Sequence, residues 1–284
     1  MKLFERFIAI DWTGAKGRRH KAIEVALCEA GTHAPVRIAP PEECWSREAV
    51  LEFVKAQAGT RTLIGFDFSF APPFDEIAAR YLPDATTPIT APEFWAYVDA
   101  NADDEDLGAG RLISGALRPH FYFGKASGQH SSFRRWRTCE ALVKQQGVGS
   151  PASIFICIGP SQVGRGSFAG MRLLHQARAS GLPVWPFDPV PAEGPVLVEI
   201  YPRAFLRLAG ERGTKLRTGA ELDAALAALG SNPTGLDGPL PDHLTDALIS
   251  SAGLRHIAGD LGFWRPPALT PAIARTEGWI FGVS

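Results

Sequence analysis

RFIAID (Arg6–Asp11), TGAKGRRH (13–20) and KAIEVALCEA (21–30) decide how this chain begins its fold. The first run is short, rich in Ile and Phe, and reads as a strand that ends at a polar residue. The glycines of the second suit a turn. The third reads as a second strand, so the three together predict an antiparallel hairpin. Working outward, THAPVRIAPPE (32–42) supplies a third strand. SREAVLEFVKAQAG (46–59) carries a capping serine, apolar residues at helical spacing and a terminal Gly59. TLIGFDFSF (62–70) is a nearly continuous apolar run of strand length, the pattern of a central strand buried on both faces.

The order strand, strand, strand, helix, strand implies a mixed sheet. The first hairpin should be antiparallel, and the Asp67 strand parallel to the first and beside it. Residues 84–150 are less regular and read as an insertion with helices near 92–99 and 133–145. Beyond it, SIFICIG (153–159) and PVLVEIYP (195–202) read as strands. SFAGMRLLHQARASG (167–181), GAELDAALAALG (219–230) and PDHLTDALISSAGLRHIAG (241–259) read as helices, the last with a stripe through Leu244, Ala247, Leu248 and Ser251. With 284 residues and no repeat or low-complexity linker, 1–284 reads as one elaborated α/β domain: a mixed sheet with flanking helices.

Bulk properties narrow the function classes. A hydrophobic share of 45% and a charged share of 21% are those of a globular protein. A net charge of −1 excludes a protein that coats nucleic acid through a global positive field, so any such contact must be local. Cys28, Cys44, Cys139 and Cys157 have neither C-x-x-C nor zinc spacing and read as unpaired thiols of a reducing compartment. Glu5, Arg6 and Asp11 interrupt the opening apolar stretch, which excludes a signal peptide or anchor. No run of about 18 apolar residues predicts a span. The expected location is the cytoplasm, with no membrane partner.

Carboxylates stand where apolar runs should not carry charge: Asp11 at the end of the first strand, Asp67 within IGFDFSF and Glu199 within VLVEIYP. A buried carboxylate needs a partner, a metal or solvent at a cleft. Asp242 and Asp246, four apart on the late helix, project from one face. Hard cations such as Mg2+ or Mn2+ would neutralise such a cluster of oxygens. Each residue also has an ordinary reading. Asp11 suits an Asx turn, Asp242 a helix cap, Glu199 an ion pair with Arg203, and His243 a helix surface.

IAIDWTG, IGFDFSF, EIYPRAF and DHLTDALISSA together resemble the domain-of-unknown-function family 429, regarded as ribonuclease H-like nucleases. The resemblance runs through most of the chain in order, with little of it in 84–150. It implies a ribonuclease H-like core, with a mixed sheet of five-stranded type, and acidic residues from the first strand, the fourth strand and a late helix. These fall on Asp11, Asp67 and Asp246 as metal-holding residues, with Asp242 as a fourth. Glu199 matches the family's E-x-Y-P signature. Related resolvases often place glutamate on the fourth strand; here the shorter Asp67 alters the spacing. The implied chemistry is divalent-metal-dependent hydrolysis of a nucleic-acid phosphodiester, two metals activating water and stabilising the leaving oxygen.

FYFGKASGQHSSFRRWRTCE (121–140) interleaves aromatic and basic residues, a composition suited to single strands. Arg134 and Arg135 are its candidate substrate contacts, joined by Lys16 beside the basic turn 17–21; solvated arginines are the plainer alternative. GRGSFAG (164–170) opens a helix and could hold an anion, although it lacks the Lys-Ser/Thr of a P-loop. Two other functions remain open. One is an actin-like-core phosphotransferase holding a nucleotide at DWTGAKG, and the other a non-catalytic nucleic-acid-binding module.

Overall fold

Period-two alternation along the first strand sends Phe7 and Ala9 to one side and Ile8 and Ile10 to the other, and both sides are covered. In the computed structural model, which describes residues 4–83, 85–124, 135–158 and 162–284, this strand is the centre of a five-stranded sheet. In chain order, β1 (Arg6–Asp11), β2 (Glu24–Glu29) and β3 (Val36–Ile38) precede α1 (Arg47–Lys55) and β4 (Thr62–Phe66). Then come α2 (Ala91–Asn101), α3 (Gly110–Ser114), a 3-10 turn (Arg118–His120), α4 (Thr138–Gln145) and α5 (Val163–Ala179). The chain ends with β5 (Val196–Glu199), α6 (Pro202–Leu208), α7 (Gly219–Ala228), α8 (Asp242–Ile257), α9 (Leu261–Trp264) and α10 (Pro271–Thr276).

The sheet order is β3-β2-β1-β4-β5. β1 pairs antiparallel with β2, and β2 with β3, whereas β4 and β5 run parallel to β1. The mixed sheet, the antiparallel hairpin and the adjacency of the Asp11 and Asp67 strands are as the sequence predicts. The crossover helix α1 begins at Ser46, whose hydroxyl accepts from the Ala49 amide at 3.0 Å. Asp106 accepts from the next two free amides, Arg47 at 3.1 Å and Glu48 at 3.0 Å, so the first turn is fully capped.

One apolar layer joins Ile8, Ile10, Ile64 and Phe66 to α1, α2 and α5; the other joins Phe7, Ala9, Leu63 and Val198 to α6, α7 and α8. Helix α8 lies across β1 and β2 and is buried almost continuously from Thr245 to Leu254, more than a single stripe. Any polar side chain on it must therefore find a partner or a cavity.

SIFICIG is a correction. Residues 153–158 make turns and one isolated bridge, Tyr122 to Ile156, not a sheet strand. Its apolar residues record burial, with Ile154 and Phe155 in the core. The free edge of β5 is already taken by bridges from Val184 and Ile280. The four cysteines are unpaired. Among the described residues no helix is long and apolar enough to cross a membrane.

Candidate functional site

Two parallel strands end side by side: Asp11 is the last residue of β1, and Asp67 follows the last residue of β4, its amide donating to the Ile10 carbonyl at 3.0 Å. Asp11 shares the parity of Phe7 and Ala9, and Asp67 that of Leu63, so both carboxylates point toward α8. From α8 come His243 and Asp246, and from the loop before α7 comes Lys215. All five line a cavity of about 480 Å3 beyond the carboxyl ends of the parallel strands. That is where ligands bind in open α/β sheets, and the volume is that of a small-ligand site.

Two of these carboxylates are partly compensated. His243 donates from Nδ1 to Asp11 Oδ2. Lys215 donates to Asp246 Oδ2 and stands 4.0 Å from Asp242. The Asp67 carboxylate has no hydrogen-bond or ion-pair partner among the described residues. Burial first, then the charges of Asp11 and Asp246, push Asp67 well above the ordinary carboxylate range. Burial raises Asp11 against the opposing His243, and raises Asp246 to about 6 against the opposing Lys215. His243 is raised chiefly by its hydrogen bond to Asp11. Burial works to lower Lys215, but the surrounding carboxylates outweigh it and hold it above its ordinary value.

Glu199 also lines the cavity but is built differently. On β5 it has the parity of Leu197, so it faces away from α8 and meets Arg137. Arg137 is fully buried and grips Glu199 through both terminal nitrogens, one bond to Oε2 measuring 2.7 Å. It also holds Glu140 at 2.9 Å and the Glu277 carbonyl at 3.1 Å. The Phe70 amide donates to Glu199 at 2.8 Å, and Ser69 Oγ to Glu140 at 3.2 Å. Burial raises Glu199, and Arg137 and the Phe70 amide oppose it. The expected partner Arg203 is not the one: it lies on the cavity wall without an ion pair to Glu199.

The fourth wall is the turn after β1. Thr13, Gly14 and Ala15 line the cavity, and Trp12 Nε1 donates to the Gly166 carbonyl at 2.9 Å. A Cβ on Gly14 would stand 2.3 Å from the Gly166 amide nitrogen, so only glycine lets this turn rest on the first turn of α5. GRGSFAG thus packs against DWTGAKG, with Gly166 and Ser167 at the cavity.

The structure brings Asp11, Asp67, Asp246 and Glu199 together. Asp242 is the first residue of α8, half exposed, near Lys215 but outside the cavity lining. Lys16 is exposed and lines an adjoining cavity of about 520 Å3. Arg134 lies outside the described residues. Arg135 is turned inward, donating to the Tyr81 and Pro73 carbonyls, each at 3.1 Å. Phe121 sits in the core against Phe155 and Phe168. In the described part of the basic-aromatic stretch, Phe121, Arg135 and Arg137 satisfy interior contacts, whereas Trp136 is exposed.

Sequence reasoning missed Lys215, Arg137, Glu140 and Tyr201. A buried Glu199 demands a cation, but nothing in the pattern selects Arg137 among 29 Lys and Arg. His243, placed on the helix surface by its sequence, is exposed there and is also the partner of Asp11, which the sequence does not show.

As the side chains stand, the described residues contain no group of three His, Cys, Asp or Glu arranged to share one ion. Lys215 and His243 occupy oxygens of Asp246 and Asp11. The donor set nonetheless fits a hard cation: it is all oxygen, it carries more carboxylates than cations, and Asp67 is open toward the cavity. No match to the chain is found among models of protein families, curated proteins or solved structures.

Proposed function

We propose that this chain is a divalent-cation-dependent phosphodiesterase of nucleic-acid type, built on a ribonuclease H-like core. The observation that carries the reading is the open Asp67 carboxylate between Asp11 and Asp246 at the carboxyl ends of β1 and β4. The strand order and directions support the same reading. So does the origin of the three carboxylates: first strand, end of the fourth strand, late helix. These are the positions implied by the resemblance to family 429.

Asp11, Asp67 and Asp246 would hold Mg2+ or Mn2+, whose positive charge stabilises charge developing on a phosphoryl oxygen. The chain's own groups do the rest. Asp11 fixes the half-exposed His243 ring through Nδ1 and raises its basicity, which makes the ring the proton-carrying group beside the carboxylates. Lys215 compensates Asp246 when no cation is bound and can turn toward an anionic substrate when one is. Arg137 clamps Glu199 and so fixes the wall against which substrate rests.

The test is Asp11→Asn, assayed for cleavage of generic DNA and RNA with Mg2+ or Mn2+, beside melting curves of both proteins with and without the ion. Asparagine keeps the shape and removes the charge. Cleavage should vanish, the fold should survive, and the wild type alone should gain stability from the ion by mass action. A wild type that neither cleaves nor gains stability, with a variant that simply melts earlier, makes Asp11 a turn residue and sinks the reading.

A further inference from the structure

The residues that follow β5 add to the lining of the cavity that holds Asp11 and Asp246. Tyr201 and Arg203 both line it. Arg203 is half-buried at the start of α6, yet its guanidinium has no hydrogen bond or ion pair among the described residues. Three other arginines show what a committed guanidinium looks like here, although Arg165, on the adjoining cavity, also leaves its buried Nε without a partner among the described residues. Arg47 caps the Thr13 and Ala15 carbonyls, Arg172 pairs with Asp99 at 2.9 Å, and Arg137 clamps Glu199. A structural arginine acquires such partners because desolvating an unpaired guanidinium is costly.

The position of Arg203 is nevertheless constrained. A Cβ on Gly149 would stand 2.7 Å from Arg203 Cδ and 2.7 Å from the Tyr201 hydroxyl oxygen. The loop at 149–150 thus closes over both side chains, and the Ser150 backbone bonds the Tyr201 hydroxyl. Tyr201 lies within electrostatic reach of both Arg203 and Asp67; burial pushes its phenol pKa up, Arg203 lowers it and Asp67 raises it. The cavity thus combines carboxylates, a phenol within electrostatic reach of both Asp67 and Arg203, and an uncommitted guanidinium.

We infer that Arg203 is the anion-binding residue of this cavity and takes the non-bridging oxygens of a phosphate group, with Tyr201 as the positioning residue beside it. The planar fork of a guanidinium matches two phosphate oxygens at once. The carboxylates repel a phosphate unless a cation lies between, so a phosphate needs a cationic side chain of the lining to hold it. A cavity of about 480 Å3 encloses a nucleotide-sized ester or the end of a single strand, not a duplex. The inference rests on the phosphodiesterase reading only for the reaction; the anion site itself does not require turnover.

The experiment measures inorganic phosphate binding by calorimetry, with and without Mg2+, for the wild type, Arg203→Ala, Arg203→Lys and Gly149→Ala. Melting curves confirm that each is folded. In parallel, KM and kcat are measured for bis(p-nitrophenyl) phosphate with Mn2+. Arg203→Ala should weaken phosphate about 10- to 100-fold, and Arg203→Lys should restore part of the loss. Gly149→Ala, which displaces the arginine stem, should weaken it to a lesser degree. For the diester, KM should rise more than kcat falls, and Mn2+ affinity should be unchanged. A wild type that binds phosphate through Arg203 but hydrolyses no diester keeps the anion site and removes the proposed activity. A wild type that cleaves the diester while Arg203→Ala keeps its KM and phosphate affinity overturns the anion site and leaves the activity standing. No phosphate binding by the folded wild type under either condition also overturns it.

Discussion

Glu199 and Asp67 sit at the ends of adjacent parallel strands and line the same cavity, but one is saturated and the other open. Glu199 receives two bonds from Arg137 and one from the Phe70 amide. Asp67 receives none from the described residues and faces two more carboxylates. The pleat accounts for the difference, because it turns Glu199 toward the α5 side, where Arg137 is buried, and Asp67 toward α8, where Asp246 waits. A filled network holds a wall in place; an unfilled one at the end of a sheet is a place for a ligand.

The comparison breaks most visibly at Arg137. Replacing it with methionine leaves Glu199 and Glu140 buried without their cation, and should cost about 3–5 kcal/mol of stability in urea denaturation. A loss below about 1 kcal/mol would show that the network is not what holds this wall.

The open side has its own signature in pH. Asp246 is raised from 3.8 to about 6. A carboxylate whose folded value is raised contributes stability that is fully present below its unfolded value and is lost as pH rises through the folded one. Its contribution should fall by on the order of 3 kcal/mol between pH 4 and pH 7 in the ion-free protein. Asp11 and Asp67, shifted the same way, deepen the fall. Asp246→Asn should flatten it; an unchanged slope in the variant would assign the loss elsewhere.

Asp67→Asn sharpens the contrast in the opposite direction from Arg137→Met. Removing an uncompensated charge should leave ion-free stability at pH 8 unchanged or raise it by about 1 kcal/mol. A drop of several kcal/mol would mean that Asp67 has a structural partner. The smallest effect belongs to the acidic stretch before α3. Asp103 pairs with Arg111 at 3.1 Å, both side chains 72% exposed, so Asp103→Ala should stay within about 0.5 kcal/mol of wild type.

Much of this arrangement can be read from the chain itself. The runs RFIAID and TLIGFDFSF specify adjacent strands because their periodicity and length leave few alternatives. Asp11 and Asp67 stand out as charges at the ends of such runs. The late helix is equally clear, but its near-complete burial is not, since Ser250, Ser251 and Gly253 read as polar or weak positions. SIFICIG misleads because an apolar run reports burial without saying whether a strand edge is free to receive it. The Arg137–Glu199 and His243–Asp11 pairs are tertiary, joining residues far apart in sequence; periodicity carries no information about them. Asp106, one of five acidic residues between Asp99 and Asp106, is likewise indistinguishable in the sequence from its exposed neighbours. In the fold it is buried against His20 and the first turn of α1.

The account turns on whether the open carboxylates take up a cation. The direct measurement is a calorimetric titration of Mn2+ into the wild type and Asp67→Asn at pH 8, both shown to be folded. The wild type should bind the ion, and Asp67→Asn should lose at least about tenfold in affinity, with Glu199 and its arginine undisturbed. Equal binding by the two proteins, or none by the wild type, would contradict the claim that Asp67 is open because it holds a ligand.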